Sequence, residues 1–247
     1  IFYNSSVSIG APYYNFAFNL LMAPIILLMA FAPQIKWGEH QRKNNQTLYI
    51  IFISIVMMAI VHYLLGNIFF SLSIFITMPL FIKSFLVFFK KISKDRSFFA
   101  QWLAHLSIGL FIVAAVYTEQ FDYEKNITFE KGDNNKIVLD EDTFLLLENI
   151  KDTDLSNHQK ISVDLIVMEN NLKYSLSPSK NIYQPSGQVT NEVSTVNKYF
   201  DQYYATISMI ESDKVSINLV YKPFINLLWI SSILLVFSIF LSIMKRK

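Results

Sequence analysis

His105 is the residue best placed for chemistry. It lies near the middle of 97–117, SFFAQWLAHLSIGLFIVAAVY, which carries no formal charge and is about as long as a membrane-crossing helix. An ionisable side chain in such a helix is by default a functional-site hypothesis. On a helix, Gln101, Trp102 and Gly109 lie one turn from His105, and Ile112 lies two turns on. That face offers a nitrogen able to bind a metal, a large flat aromatic ring and a position without bulk, which together suit a planar macrocycle lying against the helix. An imidazole nitrogen can bind iron axially. The alternative is a neutral histidine hydrogen-bonded to a neighbouring helix.

The remaining candidates are weaker. His62 sits near the end of a second apolar run, close enough to an interface to be wetted. His40 falls in a hydrophilic loop and His158 in a polar region, where solvation accounts for both. The four histidines show no metal-ligand spacing. The acidic residues Asp133, Asp140, Glu141, Asp142, Asp152 and Asp154 are scattered among lysines and form no paired-carboxylate pattern. Nothing matches a nucleophile elbow, a phosphate loop or an EF-hand, so no hydrolase or kinase chemistry is expected. The chain has no cysteine, which excludes disulfides, thiolate metal sites and thioether attachment of haem to this chain.

The elements that must position His105 are membrane helices. Hydrophobic residues make up 53% of the chain and charged residues only 16%, the latter concentrated in a few segments, unlike a soluble domain with about 25% charged residues. Five apolar spans are expected: 13–33 with Pro24 inside, 47–65, 68–89 with Pro79 inside, 97–117, and 223–244. Lys83, near the end of the third span, is expected to snorkel toward the loop that follows. The fold class is therefore a helical membrane bundle with an inserted polar domain, organised as 1–117 with four spans, 118–222 as the insert, and 223–247 as the fifth span and tail. Tyr221-Lys222-Pro223-Phe224 reads as interfacial anchors followed by a proline in the first turn of the last helix. The chain begins at Ile1 and shows no signal peptide, which leads us to expect an upstream portion.

Lysine and arginine cluster in 34–46, in 90–96 and in Lys245-Arg246-Lys247. With five spans these three segments share one side, so all point to the cytoplasm and the insert faces outward. The net charge of +2 and the placement of basic residues beside apolar runs mark topology; no nucleic-acid partner is expected. Membrane lipid is the implied surroundings.

The insert reads as β structure. Ile161, Val163, Leu165 and Val167 alternate with polar residues, Glu169-Asn170-Asn171 turns the chain, and Leu172, Tyr174 and Leu176 alternate again. A second hairpin is expected from 204–210 through 211–214 to Val215, Ile217, Leu219 and Tyr221. Residues 126–130 and 136–147 flank a turn at 131–135. A small outer β-barrel or sandwich of roughly six or seven strands follows.

Four stretches carry a resemblance to a known family. Ser8-Ile9-Gly10-Ala11-Pro12-Tyr13-Tyr14-Asn15 is similar to "SVGAPYFN", followed after an apolar span by Pro33-Gln34-Ile35-Lys36-Trp37-Gly38. Leu103-Ala104-His105-Leu106-Ser107-Ile108-Gly109 is similar to "LAHxGxx". Residues 176–183, Leu-Ser-Pro-Ser-Lys-Asn-Ile-Tyr, are similar to "LxPEKRxY", with Ser179 and Asn181 where the pattern has Glu and Arg. Tyr221-Lys222-Pro223-Phe224 through Trp229 is similar to "YKPxxxxxW". In order, spacing and topology the chain resembles the C-terminal part of the CcmF family, the membrane haem lyase component of cytochrome c maturation.

The resemblance implies that His105 is an axial ligand to the iron of a membrane haem b, with Trp102 and Gly109 beside that cofactor. The haem would support reduction and attachment of haem to apocytochrome c. The second axial histidine, the tryptophan-rich WWD segment and its two external histidines are implied to lie upstream, so no catalytic residue is expected here. The implied partners are the upstream part of the same protein, a haem chaperone, apocytochrome c and other cytochrome c maturation proteins. The implied location is the bacterial inner membrane with the β domain periplasmic, or the mitochondrial inner membrane if the chain is organelle-encoded. The competing reading is a non-enzymatic membrane anchor or sensor whose external β domain binds a ligand or protein. A transporter subunit is disfavoured, since a lone intramembrane histidine offers few polar groups for a substrate path.

Overall fold

The computed structural model describes residues 11–31, 45–91, 96–130, 136–140, 142–211 and 214–244. His40, Trp37, most of the 34–46 loop, the 131–135 turn and the basic tail lie outside the described residues. The chain divides into two compact units, 1–116 with 228–247, and 117–227.

The first unit is helical. It holds α1 (Ala11–Phe31), α2 (Asn45–Leu65), α3 (Ile68–Lys91), most of α4 (Arg96–Phe121) and most of α5 (Ile225–Ile243). Among the described residues, α2, α3, α4 and α5 are long and apolar enough to cross a membrane, while the apolar part of α1 so described covers Leu20–Met29. Both α1 and α2 pack on α3. Between α2 and α3 only Gly66-Asn67 intervenes. Gly66 takes a left-handed φ of 66° and its N–H donates back to the His62 carbonyl at 2.8 Å, closing α2. The Asn67 side chain accepts from the Phe70 N–H at 3.0 Å and caps α3. Two helices joined this tightly must run antiparallel.

Small hydroxylated residues line the covered faces. Ser54, Ser71, Ser73, Thr77, Ser107, Ser231 and Ser238 are all buried. Each donates to a carbonyl three or four residues back on its own helix, as Thr77 does to Ser73 at 2.8 Å and Ser107 to Leu103 at 2.6 Å. An apolar medium offers these hydroxyls no water, so the helix itself satisfies them and the small side chains allow close packing. Lys83 departs from the sequence expectation. Its side chain is 8% exposed, so it is buried and does not snorkel; it lies beside Leu80 and Ser84 on the covered side of α3.

The second unit is an antiparallel β domain with ten strands among the described residues, more than the six or seven expected. One sheet has the order β1 (Tyr123–Glu130), β10 (Lys214–Lys222), β9 (Asp201–Ile210), β8 (Ser194–Lys198). The other runs β2 (Lys136–Asp140), β3 (Thr143–Asp154), β4 (His158–Glu169), β6 (Ser179–Tyr183), β7 (Val189–Glu192), with β5 (Leu172–Leu176) also on β4. Both expected hairpins form. In β4–β5, Val167 faces Tyr174, and Asn170 and Asn171 take φ of 46° and 66°, as the tight turn requires. In β9–β10, Val215 faces Ile210. Residues 126–130 and 136–147 do not pair with each other. β1 joins β10 in the first sheet, with Asn126 facing Asn218, and 136–147 divides into β2 and the start of β3 in the second.

Alternation supplies the core. Tyr203, Ala205 and Ile207 of β9, Val215, Ile217 and Leu219 of β10, and Val163, Leu165 and Val167 of β4 point inward, with Phe129, Leu145 and Leu176. The positions that break the "LxPEKRxY" pattern are structural. Ser179 and Asn181 of β6 are buried and donate to the Glu192 carboxylate of β7 at 2.7 and 2.9 Å, and Lys160 adds a third bond at 3.0 Å. The Ser179 hydroxyl first, then Lys160 and Asn181, hold the Glu192 carboxyl down to about 2 from 4.5. The folded chain therefore favours the ionised form. The resulting stability is complete above about pH 4.5 and is lost as pH falls toward 2. We expect Glu192→Gln to flatten the acid side of a stability–pH curve across that window, by a modest amount because the side chain is half exposed.

Candidate functional site

His105 stands on α4 nine residues after Arg96, about 14 Å along the helix. Its neighbour across the bundle is α3. The Phe88 ring stacks on Trp102 with centroids 4.5 Å apart, and the Phe81 ring lies against Gly109. Those two contacts are seven residues apart on each helix and run in opposite directions, so α3 and α4 are antiparallel. The same register puts His105 level with Phe85 and within one turn of Ser84.

The three residues singled out in the sequence therefore occupy one region and play different parts. Gly109 is buried, and a Cβ built on it would lie 2.8 Å from two atoms of the Phe81 ring. The space its missing side chain leaves is filled by Phe81 and lets α3 approach. Trp102 is sandwiched by Phe88 and by Phe99, the latter at 5.5 Å. Its ring is committed to helix packing, yet its indole N–H is buried with no acceptor among the described residues. His105 is half-buried, and its ring makes no hydrogen bond to a described residue. The alternative of a histidine spent on a neighbouring helix does not hold among those residues. Ser84, 3% exposed, has a hydroxyl without a partner among them.

Three polar groups without a partner among the described residues thus fall on neighbouring turns of α3 and α4: the His105 imidazole, the Trp102 indole N–H and the Ser84 hydroxyl. Buried groups of this kind ordinarily find partners, and each one left without costs about 1–3 kcal/mol. The donor set fits a group that takes one nitrogen ligand and has a polar periphery. A haem iron accepts an imidazole in that way. Sequence reasoning found His105 and Trp102 from their spacing. It missed Ser84, which lies in an apolar run of another helix and gains its position only from the α3–α4 register.

The other histidines are elsewhere. His62 is exposed at the end of α2, where its carbonyl closes the helix. His158 begins β4, bonded through Nδ1 to Asn157 at 2.7 Å and packed on Tyr183 at 5.0 Å. No group of three or more metal-capable side chains occurs among the described residues.

No family model matches the chain. The cytochrome c-type biogenesis protein CcmF of Haemophilus influenzae is 24% identical over 263 aligned positions, covering 98% of this chain and 40% of that protein. CcmF of Escherichia coli is 24% identical over 93% of this chain and 37% of its own length, and CycK of Bradyrhizobium diazoefficiens is 21% identical over 98% and 39%. A solved structure described as cytochrome c haem lyase CcmF superposes with a TM-score of 0.78 at 14% identity, over 94% of this chain and 40% of that one. The likeness to that structure is one of fold. The chain spans about 40% of the length of the curated relatives it matches.

Proposed function

Because this chain corresponds to the C-terminal part of CcmF, along nearly its whole length, we propose that it serves cytochrome c maturation by presenting His105 as one axial ligand of a membrane haem b. The observation that carries this reading is an intramembrane imidazole with no described hydrogen bond, beside a buried indole N–H that lacks an acceptor. Haem b, when bound, supplies one-electron transfer, which suits reduction of the haem destined for apocytochrome c. The residues of this chain hold and orient. α4 sets the height of His105, Gly109 and Phe81 fix the distance between α3 and α4, and Phe88 stacked on Trp102 keeps the face from rotating.

In this reading α1 also crosses the membrane, which makes five spans in all, the basic segments face the cytoplasm and the β domain is periplasmic. The second axial ligand belongs to the portion of CcmF that this chain does not span. That portion, a haem chaperone and apocytochrome c are the partners. The half-buried, uncommitted imidazole of His105 favours this over a bare anchor or sensor, which would need no ligand nitrogen there.

The test is spectroscopic. In membranes holding the complete CcmF that contains this segment, His105→Ala should abolish the bis-histidine haem b spectrum, and His105→Gly should regain it on adding imidazole. A wild-type spectrum in His105→Ala would remove His105 from the ligand role. Loss in both variants without imidazole rescue, from protein that still folds, would also count against it.

A further inference from the structure

The turn between β8 and β9 is built against ordinary preference. Tyr199 adopts a φ of 49°, a left-handed conformation that is costly for a bulky residue, and leaves its side chain 85% exposed. Phe200, next to it, is 49% exposed. Neither ring belongs to the core of the β domain. The turn is nonetheless fastened firmly. The Asn226 side chain donates to the Tyr199 carbonyl at 3.0 Å, and the Asn226 N–H donates to the Phe200 carbonyl at 3.0 Å. The Phe224 N–H donates to one Asp201 oxygen at 3.0 Å, while the Tyr221 hydroxyl donates to the other at 2.6 Å.

These fastenings lead to the end of β10, the turn that follows it and the first turn of α5, where the chain enters an apolar span. The last turn of α4 is tied to the same place, since the Thr118 hydroxyl donates to the Pro223 carbonyl at 2.6 Å. Aromatic rings fill the junction. Tyr117 packs on Phe121 and on Phe224, each at 4.5 Å, and Phe200 meets Phe224 edge-on at 6.3 Å.

We propose that the Tyr199-Phe200 turn is an interfacial anchor that lies at the lipid headgroup level and gives the β domain a third contact with the bilayer, beside the ends of α4 and α5. Tyrosine and phenylalanine rings exposed at the level where helices leave the hydrocarbon are the composition that an aromatic belt requires. Water offers no reason to hold two such rings outward in a strained turn. A headgroup region does, because it accepts an apolar ring body and a polar hydroxyl together. The row from Tyr117 through Phe224 to Phe200 makes the patch continuous with the helix ends, so lipid is its occupant.

The chain has no native cysteine, so a single introduced thiol reports one site. Tyr199→Cys and Phe200→Cys, each in the full chain reconstituted in phosphatidylcholine vesicles and labelled with bimane, should be quenched by lipids carrying a shallow nitroxide and spared by aqueous iodide. Leu172→Cys, at the β4–β5 turn and 51% exposed, should show the reverse. The ratio of the two quenching constants should differ several-fold between the sites, with tryptophan emission unchanged from the parent. Iodide quenching at 199 and 200 equal to that at 172 would overturn the proposal, and would leave the turn as a water-exposed surface for a protein partner.

Discussion

Glu169→Ala is expected to destabilise the β domain by about 2–3 kcal/mol, more than most single changes. The carboxylate at the end of β4 closes a small buried network. One oxygen receives the Lys198 ammonium at 2.7 Å and the other receives the Tyr203 hydroxyl at 3.0 Å. Lys198 and Glu169 are largely covered, with side-chain exposures of 20% and 17%, and Tyr203 is 2% exposed at the centre of a ring cluster with Tyr221 and Tyr174. Burial first, and then the nearby Tyr123 and Glu169 charges, push the Tyr203 hydroxyl far above its usual range, so it stays protonated and needs an acceptor. Alanine would take the carboxylate acceptor from both that hydroxyl and an ammonium. Removing one member of such a pair costs more than removing both. Thermal unfolding of the full chain in detergent, followed by tyrosine fluorescence, should show the largest loss for Glu169→Ala. The triple change Glu169→Leu, Lys198→Met and Tyr203→Phe should recover much of it. A triple variant less stable than the single would mean that the network contributes net attraction and does more than avoid orphaned groups.

The same network shows what a sequence can and cannot display. Alternation in β4, β9 and β10 was legible because one face of each strand is buried and the side-chain period is two. The Asn170-Asn171 turn was legible because asparagine tolerates the left-handed backbone that a two-residue hairpin demands. Neither signal names a partner strand. β1 has an ordinary strand composition, and nothing local distinguishes pairing with β2, just beyond the turn, from its observed pairing with β10 near the far end of the domain. The short polar strands β7 and β8 carry almost no alternation, since they are largely exposed, and they account for part of the undercount.

In the membrane segments, length and apolarity marked the helices, and spacing placed Trp102, His105 and Gly109 on neighbouring rows of α4. What covers those rows was not legible. Gly109 looked like room for a macrocycle, and the room is taken by Phe81. Lys83 looked free to reach the loop, and the fold leaves it covered. Pro223 looked like the first residue of the last helix. It sits in a turn, and Phe224 takes a left-handed φ of 58° before α5 begins at Ile225, because Thr118 holds the Pro223 carbonyl and Asp201 holds the Phe224 N–H. Each departure comes from a contact between segments distant in sequence.

Gly109→Leu is expected to disturb the site at His105 without touching its imidazole. In a helix, glycine is about 1 kcal/mol worse than alanine, so the smallest substitution begins with a gain. That gain is opposed at once, because the added Cβ would sit 2.8 Å from Phe81 Cε1 and Cζ. Those atoms are the far end of a half-buried side chain, and the ring can give way by a few tenths of an ångström. Gly109→Ala should therefore stay within about 1 kcal/mol of the parent, the two effects nearly cancelling. Leucine adds three further carbons in the direction of the ring, and no rotation of Phe81 clears them while Phe88 remains stacked on Trp102. The helices must then separate, at a cost of about 1–3 kcal/mol from overpacking. His105 lies one turn along α4 from Gly109, so the separation moves the ligand nitrogen as well. In the complete protein, Gly109→Leu should lower haem occupancy and broaden the haem b spectrum, while Gly109→Ala keeps it. Phe81→Ala in the Gly109→Leu background should restore both stability and spectrum, because it removes the ring that leucine strikes. If Gly109→Leu binds haem as the parent does, the distance between α3 and α4 does not govern the ligand, and His105 is positioned by some other neighbour.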